Sequence, residues 1–168
     1  MAHAMILGMT ISGKTSLAKS LARSLRAKGI QVLAFDPTND PEWINSADFV
    51  TADRVQFLQV YWQSEGCAVF IDEAADVCTQ ADKDFIRTAT QGRHRGHQNF
   101  YIAQRGTMIA RTIRDQCTRL YIFTTALADA KIHSDEWNAP QLLESPALPR
   151  GTFFYVDKYG RFERRRLF

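Results

Sequence analysis

The sequence predicts an α/β protein: a mainly parallel sheet flanked by helices, with an antiparallel hairpin at its C-terminal end. Three observations carry this expectation. Short apolar runs alternate with stretches of helical periodicity along most of the chain. The stretch GMTISGKTS, residues 8–16, lies between the first apolar run and the first helical stretch. A later run, VFIDEA at residues 69–74, places two adjacent carboxylates at the end of a buried strand.

Taken in order, residues 5–8 suit a short buried strand, and residues 13–28 carry Leu17, Ala18, Leu21, Ala22 and Leu25 at helical spacing before Gly29. Residues 30–35 (IQVLAF) form a second strand, stopped by Asp36-Pro37 and the turn-rich TNDP. Asp53 and Gln56 box the start of a helix that runs to Glu65 and is ended by Gly66. A third strand covers residues 67–71 (CAVFI). Thr79 with Asp82 then caps a helix whose Ala81, Phe85, Ile86 and Ala89 share a face, closed by Gly92. Residues 99–103 (NFYIA) and 120–124 (LYIFT) supply two more strands around a short helix near residues 109–115. In the tail, residues 152–156 and 161–167 flank the turn Asp157-Lys158-Tyr159-Gly160.

No repeat, low-complexity tract or linker interrupts this order, and 168 residues with 45% hydrophobic content can close one substantial core but not two. The expectation is a single domain over residues 1–168, with a core of 1–150 and a hairpin of 151–168. No apolar run approaches the roughly 18 residues of a spanning helix, and MAHAMILG lacks the features of a secretory signal, so a cytosolic protein is expected. Cys67, Cys78 and Cys117 are odd in number and scattered, which argues against a disulfide framework or a zinc site and for buried thiols. The formal charge of +3 is too mild to indicate a nucleic-acid partner, although Arg161, Arg164, Arg165 and Arg166 crowd the tail.

Gly8 and Gly13 bracket Met9, Thr10, Ile11 and Ser12, and Lys14, Thr15 and Ser16 follow, completing the GxxxxGK[ST] pattern of a Walker A loop between strand and helix. Glycines let backbone N–H groups curl around phosphates, and the helix N-terminus adds about half a positive charge. Lys14 reaches the β and γ phosphates, and the Thr15 hydroxyl ligates Mg²⁺. At the strand end Asp72 holds the same Mg²⁺ through water, as in a Walker B motif, and Glu73 polarises the attacking water. ATP and Mg²⁺ are the ligands this implies. The alternatives are a ligand-free glycine turn and an acidic pair that merely caps the next helix.

Residues 92–123, GRHRGHQNFYIAQRGTMIARTIRDQCTRLYIF, resemble the HerA/FtsK superfamily of DNA-pumping ATPases. Arg93, with Gly96 closing the turn, matches the family's arginine after the acidic strand's helix. Gln104-Arg105 matches its glutamine-arginine step, and Asp36-Pro37 is similar to its pattern after the second strand. The resemblance covers roughly residues 5–130 and implies a RecA-like (ASCE) P-loop NTPase core. It further implies a homo-oligomeric ring, expected as a hexamer, with double-stranded DNA as cargo. Gln104 would sense the γ-phosphate, and Arg93, or else Arg95, would reach a neighbouring subunit's site as an arginine finger.

Other readings of these residues stay open. Arg93 and Arg95 suit a solvated helix C-terminus, and Gln104 could satisfy a backbone group. His94 and His97 read as surface histidines. Arg111 and Arg114 suit either DNA phosphates or plain exposure, and the charged tail strand suits an edge blunted against aggregation. GMTISGKTS and FIDEA also resemble the thymidine kinases that carry a zinc-bearing lasso, although three scattered cysteines cannot supply four zinc ligands. A non-catalytic nucleotide-gated module is a third possibility. No appended domain is expected beyond the core, and such a stripped ATPase is most similar to the genome-packaging enzymes of tail-less phages. That likeness implies partners on the capsid or at a portal or vertex, and a place in the host cytoplasm or on the virion. Phage assembly proteins related to zonula occludens toxin are also similar, but usually carry a membrane segment.

Overall fold

Residues 2–168 are described by a computed structural model. Its strands are β1 (His3–Leu7), β2 (Val32–Phe35), β3 (Phe49–Thr51), β4 (Ala68–Ile71), β5 (Gln98–Ala103), β6 (Cys117–Ile122), β7 (Thr152–Asp157) and β8 (Phe162–Arg166). The helices are α1 (Lys14–Ala27), α2 (Arg54–Gln63), α3 (Ala74–Val77), α4 (Lys83–Gln91), α5 (Arg111–Gln116) and α6 (Leu127–Glu136). All eight strands join one sheet in the order β3-β2-β4-β5-β1-β6-β7-β8. Pairing is parallel from β3 to β6 and antiparallel from β6 through β7 to β8. This is the RecA-like P-loop architecture, with β5 inserted between the strand before the glycine loop and the strand that carries the carboxylates.

Both faces of the sheet are covered, which is why its inner strands read as continuous apolar runs rather than alternating ones. Side chains nevertheless alternate between two cores. Met5, Leu7, Phe35, Val69, Ile71 and Tyr101 pack with Phe57, Tyr61, Phe85, Ala89 and Ile113 from α2, α4 and α5. Ala4, Ile6, Ala34, Phe70, Phe100 and Ile102 pack with Leu17, Ala18 and Ala22 of α1 and with Trp43. Parallel pairing brings the C-terminal ends of β1, β2, β4 and β5 to one rim, and the site is built there.

Several expectations change. Asp82 alone caps α4, accepting from the Phe85 N–H (3.1 Å) and pairing with Arg54, while Ala81 precedes the helix and is exposed. Thr79 contributes its carbonyl to the preceding turn. β3 and α6 carry no sequence signal that periodicity detects. The first is three half-buried residues, and the second turns Asp129, Ala130, His133 and Ser134 inward, a mostly polar face. Arg114 is not free for a phosphate, because it bonds Glu136 (2.8 Å) and the Ile109 carbonyl (2.6 Å); Arg111 is exposed. The three cysteines are buried and free, as expected. Among the described residues, no helix is long and apolar enough to cross a membrane.

His97 is also not a surface residue, although His94 is. Fully buried, His97 accepts from the Cys67 N–H at Nδ1 (3.1 Å) and donates from Nε2 to the Tyr61 carbonyl (2.9 Å). His3 is equally buried and accepts from the Asn99 N–H at Nδ1 (3.0 Å). Both rings must stay neutral to accept. Burial, reinforced by the nearby Arg93 cation, lowers the His3 pKa from 6.5 to about 4, and burial also lowers that of His97. Below pH 6.5 the unfolded chain therefore binds protons that the folded chain refuses. The stability His3 supports is fully present above pH 6.5 and is lost as pH falls toward 4, by at most about 3 kcal/mol. Urea titrations should show the unfolding midpoint dropping over this window, with a shallower fall in His3→Gln.

Candidate functional site

The loop after β1 is hung between its two neighbours. Gly8 N–H donates to the Ala103 carbonyl at the end of β5 (3.2 Å), and Met9 N–H donates to the Thr124 carbonyl beyond β6 (2.9 Å). The backbone then turns, with Ser12 N–H donating to the Met9 carbonyl (3.2 Å), and enters α1 as Leu17 N–H donates to the Gly13 carbonyl (2.9 Å).

Phe123 explains both glycines. A Cβ at Gly8 would stand 2.7 Å from the Phe123 Cβ, and one at Gly13 would stand 2.9 Å from its Cε1. Gly13 also has φ 116°, a region disfavoured for residues with a side chain. Ile11, exposed in the middle of the loop, has φ 64°, which is unfavourable for a β-branched residue and characteristic of ligand-binding loops. Outside the loop, Gly151 N–H donates to the Ser12 carbonyl (2.9 Å).

The loop is open to an anion. No side chain caps α1 and no acidic residue sits in its first turn, so its N–H groups and positive end face outward. The buried Ser12 Oγ has no partner. Lys14 and Thr15 are half-buried and line a small cavity with Ile11, Gly13, Ser16, Arg150 and Phe168.

Across the rim, Asp72 follows β4, its N–H donating to the Phe35 carbonyl (3.0 Å). Its carboxylate is nearly buried; Oδ2 accepts from the Trp43 indole N–H (3.3 Å) and Oδ1 from the Glu73 N–H (2.9 Å). Glu73 stands in left-handed backbone with φ 48°. Burial raises the pKa of both carboxyls, Asp72 adds to the shift at Glu73, and the Lys14 charge works against the shift at each. The ammonium and the two carboxylates thus share one electrostatic neighbourhood. One lone pair or more remains free on each Asp72 oxygen. Together with the Thr15 hydroxyl, this is a hard-oxygen donor set that fits Mg²⁺, which takes one or two protein oxygens and completes its shell with phosphates and water.

What the loop after β2 does for Asp72 escaped the sequence reading, which took Asp36-Pro37 as a strand stop and a family pattern. The buried Asp36 accepts from the Thr38 N–H (3.1 Å), the Thr38 hydroxyl (2.7 Å) and the Asp40 N–H (2.6 Å), folding the loop after β2. Lys19 of α1 pairs with Asp40 and with Glu42 (2.8 Å), and this loop delivers Trp43 to Asp72. The Asp36 contacts are local, within four residues, but no local pattern signals those of Lys19 and Trp43, which join residues more than twenty positions apart.

Gln104 is exposed one residue beyond Ala103, whose carbonyl holds the start of the glycine loop. Arg105 turns away to the buried Asp129 (3.0 and 3.2 Å), which also accepts from the Thr107 hydroxyl (3.0 Å), so the segment after Gln104 is tied down. Arg93 is not part of this cluster. It lies on the turn Gly92–Arg95 before β5, on the opposite edge of the sheet, and donates to Gln116 (2.9 Å). Arg95 is on the same edge, donating to the Ser64 carbonyl (3.3 Å) beside Glu65. A strand of six residues separates that edge from Gln104, roughly 20 Å.

Fold and rim together define the class: a RecA-like P-loop NTPase fold with its glycine loop and acidic strand end on one edge. No family model matches the sequence, nor does any curated protein. Solved structures do match. The DNA-packaging ATPase B204 of Sulfolobus turreted icosahedral virus is 18% identical over 99% of this chain and 98% of its own, with a TM-score of 0.84. The genome packaging NTPase B204 of Sulfolobus turreted icosahedral virus 2, in complex with AMPPCP, is 17% identical over 99% and 97%, with a TM-score of 0.83. The pCW3 conjugation coupling protein TcpA, with ATPγS, is 17% identical over 99% of this chain and 60% of its own, at a TM-score of 0.68. At these identities the likeness is one of fold, and the neighbours are of the kind that the motif resemblance named.

The contact beneath the loop is directly testable. Gly13→Ala should destabilise the protein by about 1–3 kcal/mol through overpacking and backbone strain. Phe123→Leu in the same chain should relieve part of that loss, because it removes the ring atom that the new Cβ meets. A double-mutant cycle by chemical denaturation reads the coupling.

Proposed function

We propose that this chain is an Mg²⁺-dependent ATPase of the HerA/FtsK type that moves double-stranded DNA, and that its cargo is a viral genome packaged into a capsid. The observation that carries the reading is the shared rim. Lys14, Thr15, Asp72, Glu73 and Gln104 converge at the C-terminal edge of the sheet, on a fold shared with an ATPase described as DNA-packaging. The 168 residues act as one ATPase domain, a core of 1–150 with the hairpin of 151–168. In support, β7 and β8 continue the core's sheet and Gly151 bonds the glycine loop.

In this reading the N–H groups of residues 9–13 and of the first turn of α1, Ser16 included, hold the β and γ phosphates, and Lys14 neutralises their charge. The Thr15 hydroxyl and Asp72 would hold Mg²⁺, which when bound would offset charge on the transferring phosphoryl group. Trp43 and the Glu73 N–H orient Asp72. Glu73 accepts a proton from the attacking water. Burial and the neighbouring Asp72 raise its pKa, which makes it a better base than an ordinary glutamate. Gln104, anchored by the strand end, contacts the γ-phosphate.

Arg93 lies too far from its own site to act there and is exposed for a neighbour. The reading is therefore a ring of identical subunits, taken as a hexamer, in which each supplies Arg93 to the next, with Arg95 as the other candidate. A finger in trans is worth about 10³ to 10⁵ in turnover. The enzyme works in the host cytoplasm or on the virion, against a capsid, portal or vertex protein.

Hydrolysis measured with and without long double-stranded DNA, across protein concentration, tests this. Stimulation by DNA and a rise in specific activity with concentration are expected, and rates independent of both would count against a motor. Phosphate transfer to a nucleoside would favour a kinase instead. Lys14→Ala and Glu73→Gln should each lower turnover by about a hundredfold or more, the scale of losing a transition-state contact or a general base. Arg93→Ala should be equally slow alone, yet regain activity when mixed with Glu73→Gln subunits that keep the arginine.

A further inference from the structure

Resting on the nucleotide reading above, we propose that Phe168 and Arg150 form the platform on which the base of the bound nucleoside triphosphate stacks. Apart from the loop's own residues, Arg150 and Phe168 are the lining of the cavity at Lys14 and Thr15.

The order of strands gives the direction. Asp72, Glu73 and Gln104 follow β4 and β5, on one side of β1, so the γ-phosphate end points that way. Arg150 precedes β7 and Phe168 follows β8, on the other side of β1. A triphosphate laid along the loop with its γ end toward Glu73 carries its ribose and base toward these two residues.

Both are held for the purpose. The Phe168 ring lies so close to Gly151 that a Cβ there would stand 2.8 Å from its Cδ2 and Cε2, and Gly151 has φ 81°. Leu167 N–H donates to the Gly151 carbonyl (2.7 Å), and Arg166 Nε donates to the Phe168 carbonyl (2.8 Å), fixing the backbone beneath the ring. Half of Phe168 is nevertheless exposed, at 50%. Arg150 donates from Nε to the Ile11 carbonyl (3.1 Å), and its guanidinium stands 5.3 Å from the Phe168 ring centroid. A half-exposed aromatic ring with a planar cation over it offers a stacking surface for a purine. Base–aromatic stacking contributes about tenfold or more in affinity.

Calorimetric titration of the full chain with Mg-ATP and with Mg-tripolyphosphate, which has the phosphates but no base, tests the assignment. Phe168→Ala should weaken ATP by about tenfold and leave tripolyphosphate unchanged, and Phe168→Trp should restore ATP binding. Arg150→Ala should likewise weaken ATP more than tripolyphosphate. Unaltered ATP affinity in Phe168→Ala, or equal loss of both ligands, would overturn the platform while Lys14→Ala still abolished binding of each. Failure of the wild-type chain to bind either ligand, or indifference of ATP to Lys14→Ala, would remove the nucleotide reading itself and the platform with it.

Discussion

The close approach of the glycine loop to Phe123 is the constraint from which the site follows. Gly8 stands against the Phe123 Cβ and Gly13 against its ring, so neither position has room for a side chain. Phe123 is placed by β6, whose next residues hold Met9 through the Thr124 carbonyl, and Gly8 is placed by β5 through Ala103. The loop thus takes its shape from three parallel strands in register rather than from its own sequence. That register also puts Gln104 beside it.

Local costs accumulate at this rim. Ile11 and Glu73 occupy left-handed backbone, Asp72 and Glu73 are carboxyls pushed up by burial, and α1 begins with an uncapped positive end. Two aromatic-rich cores on either face of the sheet supply the stability that makes such strain tolerable. Under the proposed function, a triphosphate with its cation would offset several of these costs together: negative phosphates would satisfy the helix end and Lys14, and a divalent ion would suit the buried aspartate.

The opposite edge of the sheet carries a different chemistry. Arg93 and Arg95 stand exposed or half-exposed there on a short turn, held lightly by Gln116 and Ser64, and their reach is outward. At β8, by contrast, Arg161 just before the strand and Arg165 within it both close on Glu163, and the edge strand is blunted by these ion pairs, as natural sheet edges are. Arginine content alone does not distinguish these two surfaces; what each guanidinium already holds does.

Both glycines, Lys14, Thr15, Asp72 and Glu73 were legible in the sequence because each depends on a local rule: a phosphate loop between strand and helix, and acidic residues at a buried strand's end. The alternation of apolar runs likewise determined the parallel sheet and the terminal hairpin. Tertiary structure alone decided why the glycines are needed, since Phe123 arrives from 110 positions beyond Gly13. It alone decided that Trp43 aims Asp72, that His97 is buried, that Arg114 is occupied by Glu136, and that α6 exists with a polar inner face. Periodicity records which side of an element meets the core, but it carries no information about which distant residue waits there. That partner is chosen only when the strands take their order in the sheet.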